Sequence, residues 1–167
     1  MLDRFAAITR WLSGLLMFAG AAGIVVMTGI IGWQVFGRYV LNASPAWSEQ
    51  AALVLMVWFV MFGAAAGVHE GFHIRIGVFV EALPVRIRTA CRAMALLIIA
   101  ACGIALAVWG AQLVLAVWSH VIPTLGISRG FAYLPLPLSG GLITLFAIER
   151  LAELAAGRER GRMEGRV

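Results

Sequence analysis

The stretch AMALLIIAACGIALAVWGAQLVLAVWS, residues 93–119, carries no charged side chain across 27 positions. As a helix it would run about 40 Å, more than the roughly 30 Å of a bilayer's hydrocarbon core. Three further uncharged runs accompany it, at 11–37, 50–68 and 130–148, with 27, 19 and 19 residues. Even the shorter ones reach about 28 Å as helices. A soluble domain of 167 residues has no interior for four such segments. The sequence therefore predicts an all-α integral membrane protein with four transmembrane helices in a single membrane domain, 1–167. Extended to their punctuating residues, the spans are expected at about 11–37, 45–68, 84–119 and 134–152.

Composition agrees with the runs. Hydrophobic residues make up 62% of the chain and charged ones 13%, against about a quarter charged in ordinary globular domains. The net charge of +5 is not a nucleic-acid signal, because the arginines gather at span ends. Arg4 and Arg10 precede the first span; Arg75, Arg86, Arg88 and Arg92 lie between the second and third; Arg150, Arg158, Arg160, Arg162 and Arg166 follow the fourth. Only Arg38 and Arg129 fall in the other two loops, a split of eleven to two. The positive-inside rule then puts both termini in the cytoplasm, with the arginines beside lipid headgroups and no nucleic-acid partner. The first uncharged run exceeds the 7–15 residues of a signal-peptide core and reads as a retained span. Cys91 and Cys102, eleven positions apart on one helix, would be separated by about 16 Å, too far to bridge.

Local signals refine the layout. The first span holds Gly14, Gly20, Gly23, Gly29 and Gly32, which lets another helix approach closely; the lead 1–10 is expected to lie outside it. Ser44 followed by Pro45 reads as a helix N-cap with proline at the first helical position, leaving Trp47 and Glu49 in the first turns of span two at the outer surface. Gly63 and Gly67 form a GxxxG pair, candidates for helix packing. Between spans two and three, Ile76, Phe79, Val80 and Leu83 recur at helical spacing, which predicts a short cytoplasmic amphipathic helix over about 70–83 in the interface. His73 and Arg75 on it would hold it to headgroups. Pro123, Gly126 and Gly130 punctuate the second outer connection, Pro135 and Pro137 mark the start of span four, and the charged tail from Glu149 is expected to fray.

Two readings would give the chain chemistry of its own. His69-Glu70-Gly71-Phe72-His73 matches H-E-x-x-H, which on a helix offers two imidazoles and a general base to zinc. Gly71 weakens such a helix, and no third ligand follows. Alternatively, His69, His73 and His120 could serve a metal or haem in a membrane redox subunit, but that needs facing histidines within the bilayer, and these three sit at span boundaries. No Asp, Glu, Lys, Arg or His lies deep in any span, so no ion or substrate path is visible in this chain alone. That favours an accessory subunit, with no enzyme activity and no cofactor.

Taken in order, Arg38-Tyr39-Val40, Asn42, Trp47-Ser48-Glu49, Gly63, His73-Ile74 and Leu83-Pro84, then Pro123, Leu125-Gly126-Ile127, Tyr133, Pro135, Pro137 and Gly140-Gly141, resemble the DctQ-like small membrane subunit of tripartite ATP-independent periplasmic (TRAP) transporters. The resemblance covers almost the whole chain. It departs from the family pattern at Gln50, where a second acidic residue is usual, and at His69, where a basic one is common. It implies a non-catalytic small permease subunit in the bacterial inner membrane. Its partners would be a large polytopic membrane subunit, which it scaffolds, and a periplasmic substrate-binding protein. The system would take up an organic anion, such as a dicarboxylate or sugar acid, by ion-driven symport. Arg38, Trp47 and Glu49, facing the periplasm in that reading, are the residues expected to meet a partner.

Overall fold

The computed structural model describes residues 2–43, 45–70 and 84–155. Four long helices dominate: α1 (Leu2–Tyr39), α2 (Ala46–Glu70), α3 (Val85–Val117) and, after a short hairpin and a one-turn helix, α5 (Pro135–Ala155). Each is long and apolar enough to cross a membrane. The hairpin pairs β1 (Val121–Ile122) with β2 (Ile127–Ser128), antiparallel, with Val121 opposite Ser128 and Ile122 opposite Ile127. The one-turn helix α4 (Arg129–Tyr133) leads into α5.

The helices are arranged as a row. α1 packs on α2, α2 on α5, and α5 on α3, while α1 and α3 stand at the two edges. Thr9 of α1, His69 of α2 and Glu149 of α5 meet at one end, here the terminal end. The α1–α2 turn, the hairpin and α4 form the other, the hairpin end. A small core joins the row near the terminal end: Leu16 from α1, Ala65, Ala66 and Val68 from α2, Ala100 from α3, and Phe146 and Ala147 from α5.

Small residues set the helix spacing. The tightest seam lies between α3 and α5. A methyl at Gly140 would stand 2.5 Å from the Ala107 nitrogen and 2.7 Å from the Gly103 carbonyl oxygen; one at Gly103 would meet Gly140's oxygen at 3.0 Å; one at Gly110 would meet Pro137's nitrogen at 3.0 Å. Gly103, Ala107 and Gly110 fall at i, i+4 and i+7, one face of α3, and in lipid such a face is what lets backbones close in. Of the glycines expected to draw a neighbour onto the first span, Gly20 and Gly23 do so, against Phe59 of α2; around Gly14, Gly29 and Gly32 a methyl would meet nothing within 4 Å.

Two hydroxyls inside the helices satisfy themselves on their own backbone, the local solution available in lipid. Thr28 donates to the Ile24 carbonyl at 2.8 Å and Thr144 to that of Gly140 at 2.9 Å. Pro135 and Pro137 sit in the first turn of α5, where a missing N–H has no intrahelical acceptor to lose.

The structure departs from the sequence reading in several places. Residues 2–10 continue α1, since nothing in the lead breaks a helix. Glu149 does not begin a fraying tail: α5 runs on to Ala155, and Glu149 is buried against Thr9. Gly130 does not punctuate; it lies within α4, where a methyl would stand 2.6 Å from the Trp118 ring. The second connection contains a two-residue-per-strand hairpin rather than irregular loop alone. The interfacial helix expected over 70–83, with His73 and Arg75, lies outside the described residues, except that Glu70 closes α2.

Candidate functional site

The terminal end holds a buried polar knot. Thr9 Oγ1 donates to Glu149 Oε1 at 2.7 Å, bridging α1 and α5. His69, in the last turn of α2 and 4% exposed, places Nε2 3.9 Å from Glu149 Oε2 and Nδ1 3.6 Å from Glu70 Oε1. Its ring meets Phe146 at 5.1 Å, inclined at 63°. The last carbonyls of a helix lack intrahelical donors, and Arg150 Nη2 supplies one to the His69 carbonyl. α5 is thus tied to α1 through Glu149 on Thr9 and to α2 through Arg150 on the His69 carbonyl. The knot has acids and an imidazole, yet among the described residues no three His, Cys, Asp or Glu side chains gather as a metal site. His69 and His120 do not come together: His69 belongs to the terminal end, while His120 precedes β1 at the hairpin end and is exposed. His73 lies outside the described residues.

The hairpin end holds Arg38, Trp47 and Glu49. The α1–α2 turn is tight: Val40 N donates to the Phe36 carbonyl at 2.8 Å and Ala43 N to that of Gly37 at 2.9 Å. Asn42 takes a left-handed φ of 50°, which Asn tolerates better than most residues. Gly37 is needed there, because a methyl would stand 2.8 Å from the Ala43 carbonyl oxygen. Ser48, fully buried, turns its hydroxyl back to the Pro45 carbonyl at 2.7 Å; Ser44, expected as the cap, lies outside the described residues. Arg38 in the last turn of α1, and Trp47 and Glu49 in the first turn of α2, are all exposed. Among the described residues neither Arg38 nor Glu49 is in an ion pair.

Beside them, a cleft of about 390 Å³ opens between α2 and the hairpin with α4. Its α2 wall is Gln50, Leu53, Val54 and Val57; Ile122, Arg129, Ala132 and Tyr133 face them. The hairpin wall is rigidly hung: Ser128 donates its hydroxyl to the Trp118 carbonyl and accepts from Gly130 N at 3.1 Å, while Arg129 N donates to the His120 carbonyl at 2.7 Å. Trp58 braces the same region, edge-on to Phe62 at 5.5 Å and against Phe131 of α4 at 5.1 Å.

The two glycines of the GxxxG pair are half-buried, and a methyl at Gly63 would meet nothing within 4 Å. The seam that does close on glycine, at Gly103, Gly110 and Gly140, escaped the sequence reading. Its signal was present as small residues at four- and three-residue spacing in the middle of span three. The cleft had no signal, because its walls are distant in sequence.

Comparison with known proteins agrees with this architecture. The family model described as "Tripartite ATP-independent periplasmic transporters, DctQ component" matches residues 27–157. A Haemophilus influenzae protein provisionally named a TRAP transporter small permease is 24% identical over 81% of this chain and 82% of its own length. The sialic acid TRAP transporter small permease protein SiaQ of Vibrio cholerae is 25% identical over 78% of this chain and 76% of its own. The C4-dicarboxylate TRAP transporter small permease protein DctQ of the same organism is 29% identical over 51% of this chain and 33% of its own. Four apolar spans and a family match over most of their length make this chain a member of the DctQ family, the small permease subunits of TRAP transporters.

Proposed function

We propose that this chain is the fixed scaffold of a TRAP uptake system. It would brace a large polytopic transport subunit, which carries an organic anion inward on an ion gradient, usually of sodium, after delivery by a periplasmic binding protein. The observation that carries the reading is the row of helices. Its edge and flanks keep large apolar side chains outward, among them Leu97, Ile98, Val108 and Trp109 of α3 and Phe18 and Val25 of α1, so a second membrane protein has a broad face to pack on. The glycine seam and the polar knot hold that face rigid, and no charged group lies deep in any span to serve as a path for substrate.

The eleven-to-two arginine split supports an arrangement with both termini in the cytoplasm of a multi-pass inner-membrane protein. The hairpin end then faces the periplasm, and Arg38, Trp47 and Glu49 are where the binding protein or the large subunit is met. Gly63, open within this chain, is a natural place for a partner helix to approach. Two relatives are named for sialic acid and C4-dicarboxylates, both carboxylates, which supports an organic-anion substrate here.

The test is a mild-detergent purification of the tagged chain, with co-purifying proteins identified by mass spectrometry. One large polytopic membrane protein in fixed ratio is the expected result. Recovery of the chain alone, stable and without a partner, would overturn the scaffold reading.

A further inference from the structure

We propose that the cleft at the hairpin end is a phospholipid site, holding one acyl chain along α2 with its phosphodiester on Arg129. The inference rests only on the chain crossing a membrane and not on the transport reading.

The cleft is graded as an amphiphile is. Gln50, Leu53, Val54 and Val57 fall at i, i+3, i+4 and i+7, so they form one wall about 10 Å long. Gln50 lies near the start of α2, and the apolar three continue from it toward the middle of the span. Ile122 and Ala132, both buried, close the opposite side. The volume of about 390 Å³ lies in the range of roughly 300–1,000 Å³ usual for ligand sites.

Its charge points to an anion. Arg129 lines the cleft, and no carboxylate does. Among the described residues no acidic side chain lies within ion-pairing distance of Arg129. Only two of the thirteen arginines belong to this end, so its presence against an apolar slot is not part of a general basic surface. Gln50, Thr124 and Tyr133 add neutral hydrogen-bonding groups to the lining. The backbone under Arg129 is already fixed, through Arg129 N on the His120 carbonyl and Ser128 on that of Trp118. An anionic head joined to a long apolar tail, presented from within the membrane, is a phospholipid.

The test uses the full chain with whatever subunit co-purifies, depleted of lipid and titrated with phosphatidylglycerol bearing a diazirine midway along one acyl chain. Native mass spectrometry counts retained lipid, and peptide mapping locates the photolabel. One retained lipid labelling the 50–57 stretch of α2 is expected. Arg129→Gln should weaken retention about fivefold, the size of one arginine's attraction for an anionic lipid, and Arg129→Lys should restore most of it. Val54→Phe, which fills the slot and leaves Arg129 in place, should remove the label. Equal retention in all variants would overturn the proposal. So would a label confined to other helices, or cross-linking of Leu53→Cys to a protein partner in place of lipid.

Discussion

Replacing Gly140 with alanine drives a methyl into backbone rather than into a yielding side chain. The new carbon would stand 2.5 Å from the Ala107 nitrogen, 2.7 Å from the Gly103 oxygen and 2.9 Å from the Ala107 Cα. Ordinary contact is about 3.5 Å or more, so α3 and α5 must part by roughly 1 Å at this level. A gap of 0.5–1 Å forfeits a quarter to a half of each dispersion contact, and overpacking of this kind costs about 1–3 kcal/mol. By the rule of about 2–4 °C per kcal/mol for chains of this size, unfolding in detergent should move down by roughly 2–12 °C. Gly141→Ala is the matched control: it shares the helix and the chemistry, but its methyl would meet nothing within 4 Å. It should be neutral or slightly stabilising, because alanine is the better helix former by up to about 1 kcal/mol. Both are read in a thermal-unfolding scan of the purified chain. Equal melting of the two variants would refute the glycine seam as the element that sets helix spacing.

Removing the Thr9 hydroxyl with Thr9→Val leaves Glu149 Oε1 without the donor it has at 2.7 Å and should cost about 1–3 kcal/mol. Adding Glu149→Leu should recover part of that, giving a coupling of at least about 0.5 kcal/mol in a double-mutant cycle, whereas simple additivity would mean the bond does not matter. Ser128→Ala removes the N-cap of α4 and the bond to Trp118; about 0.5–2 kcal/mol should be lost, and hydrogen exchange across the hairpin should rise, an unchanged rate arguing against the cap. Glu49→Gln with Arg38→Gln changes exposed groups only, so melting should hold while uptake in reconstituted vesicles falls; unchanged uptake would remove this end from partner contact. Gly63→Ala should leave the isolated chain as stable as before, since its methyl would meet nothing within 4 Å, and should reduce recovery of the co-purifying subunit; full recovery would assign Gly63 to lipid.

The spans were legible because their signal is local. An uncharged run of 19 or 27 residues needs no partner to be recognised, and the proline pair at the head of α5 marks its start by backbone chemistry alone. What sequence pattern did not reveal depends on which helix lies beside which. Glu149 looked like the first residue of a charged tail because it adjoins Arg150; only the approach of Thr9, 140 positions away, makes it a buried tie. Gly63 fitted a packing motif as well as Gly103 and Gly110 do, yet α5 has closed upon the latter two and nothing in the chain meets a methyl at Gly63. A glycine gives permission for close approach and does not say from which side.

The shape of the row follows from the same physics. In water, α1 and α3 would fold inward to hide their flanks, since burial of apolar surface drives compaction. In lipid that drive is absent, because the tails are as apolar as the side chains. Helix order is then decided by steric fit and by polar groups that must be satisfied. Those two devices sit at different places here: the glycine fit joins α3 to α5, while at one end Thr9 on Glu149 ties α1 to α5 and Arg150 on the His69 carbonyl ties α2 to α5. Neither requires closure, so the row stays open, with α1 the least buried of the four spans and the last span the most. The gradient itself is informative. α5 is held from both sides and is the most enclosed, whereas α1 packs along its length on one neighbour, α2, and meets α5 at its end through Thr9. α1 is therefore the helix whose position should respond first when the knot is cut. Thr9→Val should raise exchange or cysteine reactivity in α1 before α3 or α5 changes, and simultaneous loosening of all four helices would show instead that the row folds as one cooperative unit.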